Sequence, residues 1–288
     1  MEKIGLQKIP LKKKAQNFNM NYIENEFDNL RRYIDNDMEH INHLYEGIDT
    51  LDRYSDIKPY EHNRIVINNK EKYINASPIN IIENKYCIST QGPKRETIDD
   101  FWRMIDENEC NIIVMLCNQK EDGKEKCANY WDINNKMQNY SIKEVKEEKI
   151  NKDTIIRDIK FINENKKEKS VKQIHFIGWP DHGIPNTQDE TIFETFSKII
   201  ELTDMYKGNG PIVVHCSAGV GRTGTYIAMY YIEKEITKQI KDKVKEIKFS
   251  IFNLVRKLKE MRLYLVQTCS QYNFIYQFVY YLLMKFNI

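Results

Sequence analysis

Glycine and proline are scarce, at 11 and 7 of 288 residues, so no Gly- or Pro-rich linker divides the chain. Cysteine is limited to Cys87, Cys110, Cys117, Cys127, Cys216 and Cys269. They form no CxxC pair and no ladder of short spacings, which argues against a disulfide scaffold and a zinc ribbon. Free thiols in a reducing, cytoplasmic compartment are expected. No charge of one sign dominates: 44 Lys plus Arg stand against 42 Asp plus Glu, a net +2. Bulk charge therefore argues for neither nucleic-acid nor membrane-surface binding, and any basic site must be local. No window approaches the ~18 consecutive apolar residues of a membrane span. The basic start, Met1 to Lys14, is followed by no apolar stretch and cleavage site, so no signal peptide is expected. Glu2 after Met1 excludes N-myristoylation.

What is present is globular. Apolar residues make up 41% and charged residues 30%, and Ile, Leu, Phe and Tyr recur along the whole length, which rules out global disorder. A chain of this size buries roughly 75% of its unfolded surface without staples. Residues 1–22 read as a basic arm (Lys3, Lys8, Lys12, Lys13, Lys14), a disordered tail rather than a lipid or substrate contact. Residues 23–288 read as a single domain. Phe27, Leu30, Ile34, Met38, Ile41 and Leu44 mark one helical face over 24–45, ended by Gly47. His40 and His43, one turn apart there, lack further ligands and read as solvated.

Short β-rich runs follow over 54–90, then a helix at 97–107 and a buried strand at 111–116. Runs such as 154–162, joined by the polar loop 163–169, predict a solvated antiparallel hairpin within 142–177. A helix at 191–202 precedes a wholly apolar strand at 211–214. Helices at 225–238, 243–261 and 270–286 close the chain. Strands mixed with helices and then a helical C-terminal third indicate an α/β (α+β) fold.

The decisive stretch is Pro211-Ile212-Val213-Val214-His215-Cys216-Ser217-Ala218-Gly219-Val220-Gly221-Arg222-Thr223-Gly224. A buried strand feeds a glycine-bearing loop, and a helix begins at its end. Such a loop turns successive N–H groups inward, and the helix N-terminus adds partial positive charge. The result is an anion cradle with Cys216 at its base, where the same field favours thiolate over thiol. Arg222 returns over the loop and grips two oxygens of a phosphate with its planar fork. The plain alternative makes Cys216 a core cysteine and Arg222 a surface charge, leaving strand, cysteine, glycines, arginine and helix start coinciding without cause. A Walker loop is excluded, since no Gly-Lys-Ser/Thr follows.

This His-Cys-x5-Arg-Thr loop resembles the signature of protein tyrosine phosphatases. Tyr73-Ile74-Asn75-Ala76-Ser77, Thr90-Gln91-Gly92-Pro93, Asp100-Phe101-Trp102, Lys126-Cys127-Ala128-Asn129-Tyr130-Trp131, Trp179-Pro180-Asp181-His182-Gly183-Ile184-Pro185 and Gln267-Thr268 resemble blocks of the phosphotyrosine-specific members, in their usual order. The resemblance covers roughly residues 25 to 288. It implies a highly twisted mixed β-sheet flanked by helices, with the cysteine loop between a buried strand and a helix.

The resemblance also implies roles. Cys216 is the nucleophile, forming a phosphocysteine, and Arg222 with the loop residues Ser217, Ala218, Gly219, Val220 and Gly221 binds phosphate. Asp181, on a loop bounded by glycines and Pro185 and supported by Trp179, protonates the leaving phenolate and then serves as base. A tyrosyl oxygen of pKa ≈ 10 leaves poorly as an anion, and acid–base help brings typically 10²–10⁴-fold. Gln267 positions the hydrolytic water with Gln271 as helper, although a plain helix start with Ser270 as N-cap is the local alternative. Thr223 stabilises the departing thiolate, and His215 tunes Cys216 rather than acting as base. Glu121 aligns with the carboxylate that holds the signature arginine, with a surface loop Glu121-Asp122-Gly123 as the open alternative. Lys126 is a supporting residue.

Asp52-Arg53-Tyr54-Ser55-Asp56-Ile57 resembles the phosphotyrosine-recognition loop. Tyr54 is expected to stack on the substrate ring and set a slot too deep for phosphoserine, and Asp56 to accept hydrogen bonds from the substrate backbone. Asp52 replaces the usual asparagine, and His182 stands where phenylalanine is frequent, which bears on loop closure. The expected activity is hydrolysis of phosphotyrosine in phosphotyrosyl proteins or peptides, by a monomer, without metal or organic cofactor. Alternatives are a catalytically weak phosphotyrosine-binding module, which the presence of Cys216, Arg222 and Asp181 disfavours, and a dual-specificity or lipid phosphatase, which Tyr54 disfavours.

Overall fold

The computed structural model of the chain describes residues 20–37, 44–45, 50–68, 72–82, 85–181, 183–189 and 191–288. The arm at 1–19, His40, His43, Gly47 and His182 lie outside them. The first helix, α1 (Met20–Asp37), starts inside the expected arm and carries Ile23, Phe27 and Leu30, all buried. Their i, i+4, i+7 spacing makes one face, which packs on two C-terminal helices, α5 (Ile251–Met261) and α6 (Cys269–Lys285).

Eleven strands are present among the described residues: β1 (Val66–Ile67), β2 (Lys72–Tyr73), β3 (Ala76–Ile82), β4 (Lys85–Thr90), β5 (Ile112–Met115), β6 (Lys120–Glu121), β7 (Lys124–Glu125), β8 (Ser141–Asn151), β9 (Thr154–Ile162), β10 (Glu168–Phe176) and β11 (Ile212–His215). Seven form one sheet in the order β3-β4-β11-β5-β10-β9-β8. Its centre, β4-β11-β5-β10, is parallel, and both margins are antiparallel. The sheet is thus mixed, with the right-handed twist of such sheets. Strands β5 and β11 are buried at every residue, because central parallel strands are covered on both faces. This is why Ile112-Ile113-Val114-Met115 and Ile212-Val213-Val214 read as unbroken apolar runs. Edge strand β8 is largely exposed and rich in Lys and Glu, which discourages further pairing.

Helices α2 (Ile98–Glu107), α3 (Ile192–Tyr206), α4 (Gly221–Lys241), α5 and α6 flank the sheet. Trp102 of α2 packs on Phe161 of β9, and Phe196 of α3 on Phe176 of β10. Three expected boundaries change. Helix α4 begins at Gly221, not 225, so Arg222 and Thr223 occupy its first turn. The expected helix at 243–261 starts only at Ile251, because Lys243 is left-handed (φ 53°) and Ser250 caps the helix by accepting from the Asn253 N–H at 3.2 Å. Helix α6 is capped by Thr268 rather than Ser270, in a reciprocal box with Gln271.

Candidate active site

Strand β11 ends at His215, and the loop 216–220 links it to α4. The carbonyls of this loop are all taken from outside. His215 Nδ1 meets Cys216 O at 3.1 Å, and the Gly92 N–H donates to Ser217 O at 2.9 Å. Arg262 donates through Nη2 to Ala218 O (3.3 Å) and through Nε to Gly219 O (3.1 Å), and Ser89 Oγ also reaches Gly219 O at 2.8 Å. Val220 O accepts from Gly224 N at 2.8 Å and Val266 N at 3.3 Å. In a trans peptide the N–H points opposite to the C=O. With five carbonyls turned outward, the N–H groups of Ser217, Ala218, Gly219, Val220 and Gly221 turn inward, over Cys216. Gly219 allows this curl: its φ is +72°, and a Cβ there would lie 2.2 Å from Thr90 O. The first turn of α4 has neither a side-chain cap nor an acidic residue, so its positive end faces the same hollow unopposed.

Arg222 rises from that turn and is 7% exposed. Its guanidinium donates to Glu121 Oε1 at 2.6 Å and Oε2 at 2.7 Å, and to Leu116 O at 3.2 Å. Glu121 is itself buried and accepts from the Asn118 N–H at 2.9 Å. Glu121 is therefore not a surface-loop residue, whereas Asp122 and Gly123 are exposed. Asp122 (φ 47°) and Gly123 (φ 76°) make the tight turn between β6 and β7, and Glu121 points inward ahead of it. Burial alone would lower the Arg222 pKa, but the hydrogen bonds and charge of Glu121, with the Cys216 charge, raise it instead. The cation is permanent.

Asp181 comes to the same place from the segment after β10. Arg222 Nη2 donates to its backbone oxygen at 3.0 Å, and Lys126 Nζ pairs with its Oδ1 at 2.7 Å. Burial pulls the Lys126 pKa down, but the hydrogen bond to Asp181 and the charges of Tyr54, Asp181 and Glu121 together outweigh it, and the net shift is upward. Trp179 anchors this segment. Its indole is buried against Phe196 and Phe274, and Nε1 donates to Gly183 O at 3.2 Å.

Tyr54 forms the opposite wall, with its hydroxyl 2.9 Å from Ser217 Oγ. Arg53 fixes the wall by donating to Gly92 O (3.0 Å), Pro93 O (2.8 Å) and Glu125 O (3.1 Å). Asp52 is buried and accepts from Tyr73 Oη at 2.7 Å and Asn75 Nδ2 at 2.8 Å, while its Oδ2 has no partner among the described residues. Asp56 is exposed in the turn that follows. Gln267 and Gln271 close over the loop: a Cβ on Gly221 would meet Gln271 Nε2 at 2.8 Å and Gln267 Oε1 at 3.3 Å. Gln271 also caps its helix, its Oε1 accepting from Gln267 N (2.9 Å) and Thr268 N (3.2 Å).

Thr223 is fully buried, and its Oγ1 has no protein partner among the described residues. A buried hydroxyl left unpaired normally costs stability. His215 is fully buried, and burial lowers its pKa to about 4, partly opposed by its bond to Cys216 O. It is therefore neutral. Since Cys216 O only accepts, Nδ1 carries the proton and Nε2 accepts from Tyr130 Oη at 2.9 Å. Tyr130 Oη in turn accepts from Gln173 Nε2 at 2.6 Å.

Sequence reasoning missed Arg262, which lies fully buried behind the loop and joins it through Asn75 Oδ1 (2.6 Å) to the Asp52 side. Burial lowers its pKa to about 10, against the upward pull of Tyr73, Cys216 and Asp52. Its only local sign was its place five residues before Gln267. Among the described residues, no group of three or more His, Cys, Asp or Glu side chains is placed to hold a metal ion. No helix among them is long and apolar enough to cross a membrane.

Residues 49–281 match the sequence model of a family described as Protein-tyrosine phosphatase. The chain is similar to tyrosine-protein phosphatase non-receptor type 20 of Homo sapiens, 37% identical over 248 residues that cover 81% of this chain and 54% of that protein. It spans about half the length of the type 20 relatives it matches. Among solved structures it resembles the catalytic domain of human protein tyrosine phosphatase non-receptor type 18, with a TM-score of 0.79 at 28% identity over 91% of this chain and 96% of that one. It also resembles non-receptor type 18 in complex with HER2 phosphopeptides, with a TM-score of 0.81 at 27% identity over 91% and 92% of the two chains.

Proposed function

The chain belongs to the protein-tyrosine phosphatase family, and from that premise we propose that it hydrolyses phosphotyrosine in proteins through a phosphocysteine intermediate. The observation that carries this reading is the loop itself: five inward N–H groups, a helix N-terminus and the Glu121-held Arg222 converge on Cys216. A phosphoryl dianion fits that hollow, and its charge is met without metal or organic cofactor.

Cys216 attacks phosphorus from below while the N–H groups and Arg222 hold the equatorial oxygens. Glu121 aims Arg222, so that the guanidinium need not reorganise as charge develops. Asp181 donates a proton to the leaving tyrosyl oxygen and later takes one from water. In the resting arrangement its carboxylate is paired with Lys126, and substrate entry exchanges that partner for the phenolic oxygen. Gln267, with Gln271, orients the hydrolytic water over the loop. The buried Thr223 hydroxyl stabilises the departing Cys216 thiolate when the phosphocysteine breaks. His215 is a positioning residue, whose proton on Nδ1 holds the Cys216 carbonyl outward.

Tyr54 lines the slot along the substrate ring and excludes a short phosphoseryl side chain from Cys216, and Asp56 meets the substrate backbone. Phosphotyrosyl peptides as partners are supported by the complex of non-receptor type 18 with HER2 phosphopeptides. Residues 23–288 act as one catalytic domain, with 1–22 as an appended arm. Six free thiols fit a reducing, cytoplasmic setting and a role in signalling.

The test is phosphate release from matched phosphotyrosyl and phosphoseryl peptides by wild type and Cys216→Ser. Wild type should act on phosphotyrosine alone. The serine variant should bind the peptide without turnover, since the loop N–H groups and Arg222 remain. Appreciable hydrolysis by Cys216→Ser would overturn the covalent route.

A further inference from the structure

Asp52 stands where the family pattern has asparagine, and it is buried two residues before Tyr54. The mechanism above makes no use of its charge. Its Oδ1 accepts from Tyr73 Oη and Asn75 Nδ2, and its Oδ2 is buried without a partner among the described residues. A carboxylate only accepts, so Asp52 fixes which way the Asn75 amide faces. Asn75 Nδ2 goes to Asp52 at 2.8 Å and to Ile57 O at 2.7 Å, which leaves Oδ1 for Arg262 Nη2 at 2.6 Å. Arg262 is fully buried, and its hydrogen-bond acceptors among the described residues are all neutral: Asn75 Oδ1, Ser77 Oγ at 3.2 Å, and the carbonyls of Ala218 and Gly219. A buried cation without a counter-ion is costly. The acidic groups that face it are the Tyr73 phenol, Cys216 and Asp52. Burial and the bond to Asp52 push the Tyr73 phenol far above its ordinary range, so it stays neutral. Cys216 gives up its thiolate charge whenever it takes up phosphate. Asp52 keeps its charge throughout, one amide away from the guanidinium.

We propose that Asp52 is the counter-ion of Arg262, a positioning residue that acts through Asn75 to hold the cysteine loop open while tempering the positive field the loop presents to phosphate. The inference rests on the phosphatase reading in taking that loop as the phosphate cradle. Two effects of opposite sign follow. The carboxylate stabilises the folded chain, because it compensates a guanidinium that burial has stripped of water. It also opposes anion binding, because a negative charge behind the loop subtracts from the attraction that Arg222, Arg262 and the α4 N-terminus exert on a dianion. Weaker retention of phosphate speeds release of the product once the phosphocysteine is hydrolysed. An asparagine at position 52 would keep the shape and the acceptor for Asn75, and would lose both effects.

The test measures thermal denaturation of the full chain and calorimetric binding of inorganic phosphate, for wild type and Asp52→Asn. The expected result is a lower Tm without phosphate, together with phosphate binding tighter by roughly three- to tenfold, the order of one unit charge across a partly buried site. A merely structural Asp52 would lower stability and affinity together. An unchanged Tm, or a phosphate affinity that is unchanged or weaker, therefore overturns the proposal. Arg262→Met removes the cation and keeps an unbranched stem. In that background Asp52→Asn should no longer lower Tm, since a buried carboxylate without its cation is itself a cost; an equal loss of Tm in both backgrounds overturns the pairing. Should Arg262→Met not fold, the opposed signs in Asp52→Asn alone decide. Failure of the phosphatase reading shows separately, as absent phosphate release from phosphotyrosyl peptides by the wild type, because denaturation and calorimetry need no turnover.

Discussion

Asp181→Ala isolates the proposed acid from the proposed binding machinery. The substitution deletes the carboxylate that pairs with Lys126 at 2.7 Å and touches Arg222 Nη2 at 3.4 Å. It leaves the Arg222 contacts with Glu121 at 2.6 and 2.7 Å, the bond from Arg222 to the residue 181 backbone oxygen at 3.0 Å, and the outward carbonyls of the cysteine loop. Trp179 still anchors the segment through Phe196 and Phe274. Phosphate affinity should therefore hold, or rise, since removing the acidic group also removes its repulsion of the dianion. The chemical step should slow by roughly 10²–10⁴-fold, the worth of a positioned acid, which is about 3–5 kcal/mol of transition-state stabilisation. The assay compares kcat and KM for wild type and variant across aryl phosphates of graded leaving-group pKa. The deficit should be largest for poor leaving groups and shrink as the leaving group becomes able to depart as an anion. A deficit independent of leaving-group pKa refutes the reasoning and makes Asp181 a loop-shaping residue through Lys126. Asp181→Asn keeps a Lys126 acceptor without a transferable proton, and should show the same graded deficit.

Three further outcomes follow from the geometry. Glu121→Ala strips a buried guanidinium of its bidentate partner, a kind of change that costs roughly 3–5 kcal/mol; thermal denaturation should show a lowered Tm that phosphate partly restores, with KM raised, and an unchanged Tm and KM would show that Glu121 does not hold Arg222. Tyr54→Ala removes the wall bonded to Ser217 and should erode the preference for phosphotyrosyl over phosphoseryl peptides; an unchanged ratio would place slot depth elsewhere. Burial lowers the pKa of His215 to about 4 and of His175 to about 3, the latter helped by the Arg157 charge. Both are depressed below the ordinary value near 6.5, so between about pH 6.5 and pH 4 the unfolded chain binds more protons. Stability should be complete above about pH 6.5 and fall on acidification, by up to about 1.4 kcal/mol per pH unit for each histidine. His175→Gln should flatten that acid slope in denaturant titrations, and an unaltered slope would mean that other groups drive it.

Much of the site was legible because its chemistry is concentrated in one continuous stretch. An apolar strand, a cysteine, spaced glycines, an arginine and a helix start are local signals, and each follows from backbone sterics or helix-end electrostatics. The central strands were equally plain, since burial on both faces leaves an unbroken apolar run at 112–115 and 212–214. Helix limits were less so. The start of α4 at Gly221 depends on Val266 N–H reaching Val220 O across the fold, and the late start of α5 on a left-handed Lys243. Glu121 was ambiguous between exposed turn and buried clamp, since a two-residue turn has the same local appearance in either setting.

Sequence alone thus determined that a nucleophile, an anion cradle and a guanidinium share one loop, because neighbours in the chain are neighbours in space. Only the tertiary structure decided what holds that loop open. Arg262, Ser89, Gly92, Tyr130 and Gln173 lie from 43 to 127 residues from Cys216 in the chain, and either bond the loop's carbonyls directly or orient His215. The same is true of the pairing of Lys126 with Asp181. Hydrogen bonds and buried charges act over about 3 Å, whatever the separation along the chain. A pattern read along the chain therefore shows which groups are available, and packing alone determines which of them meet.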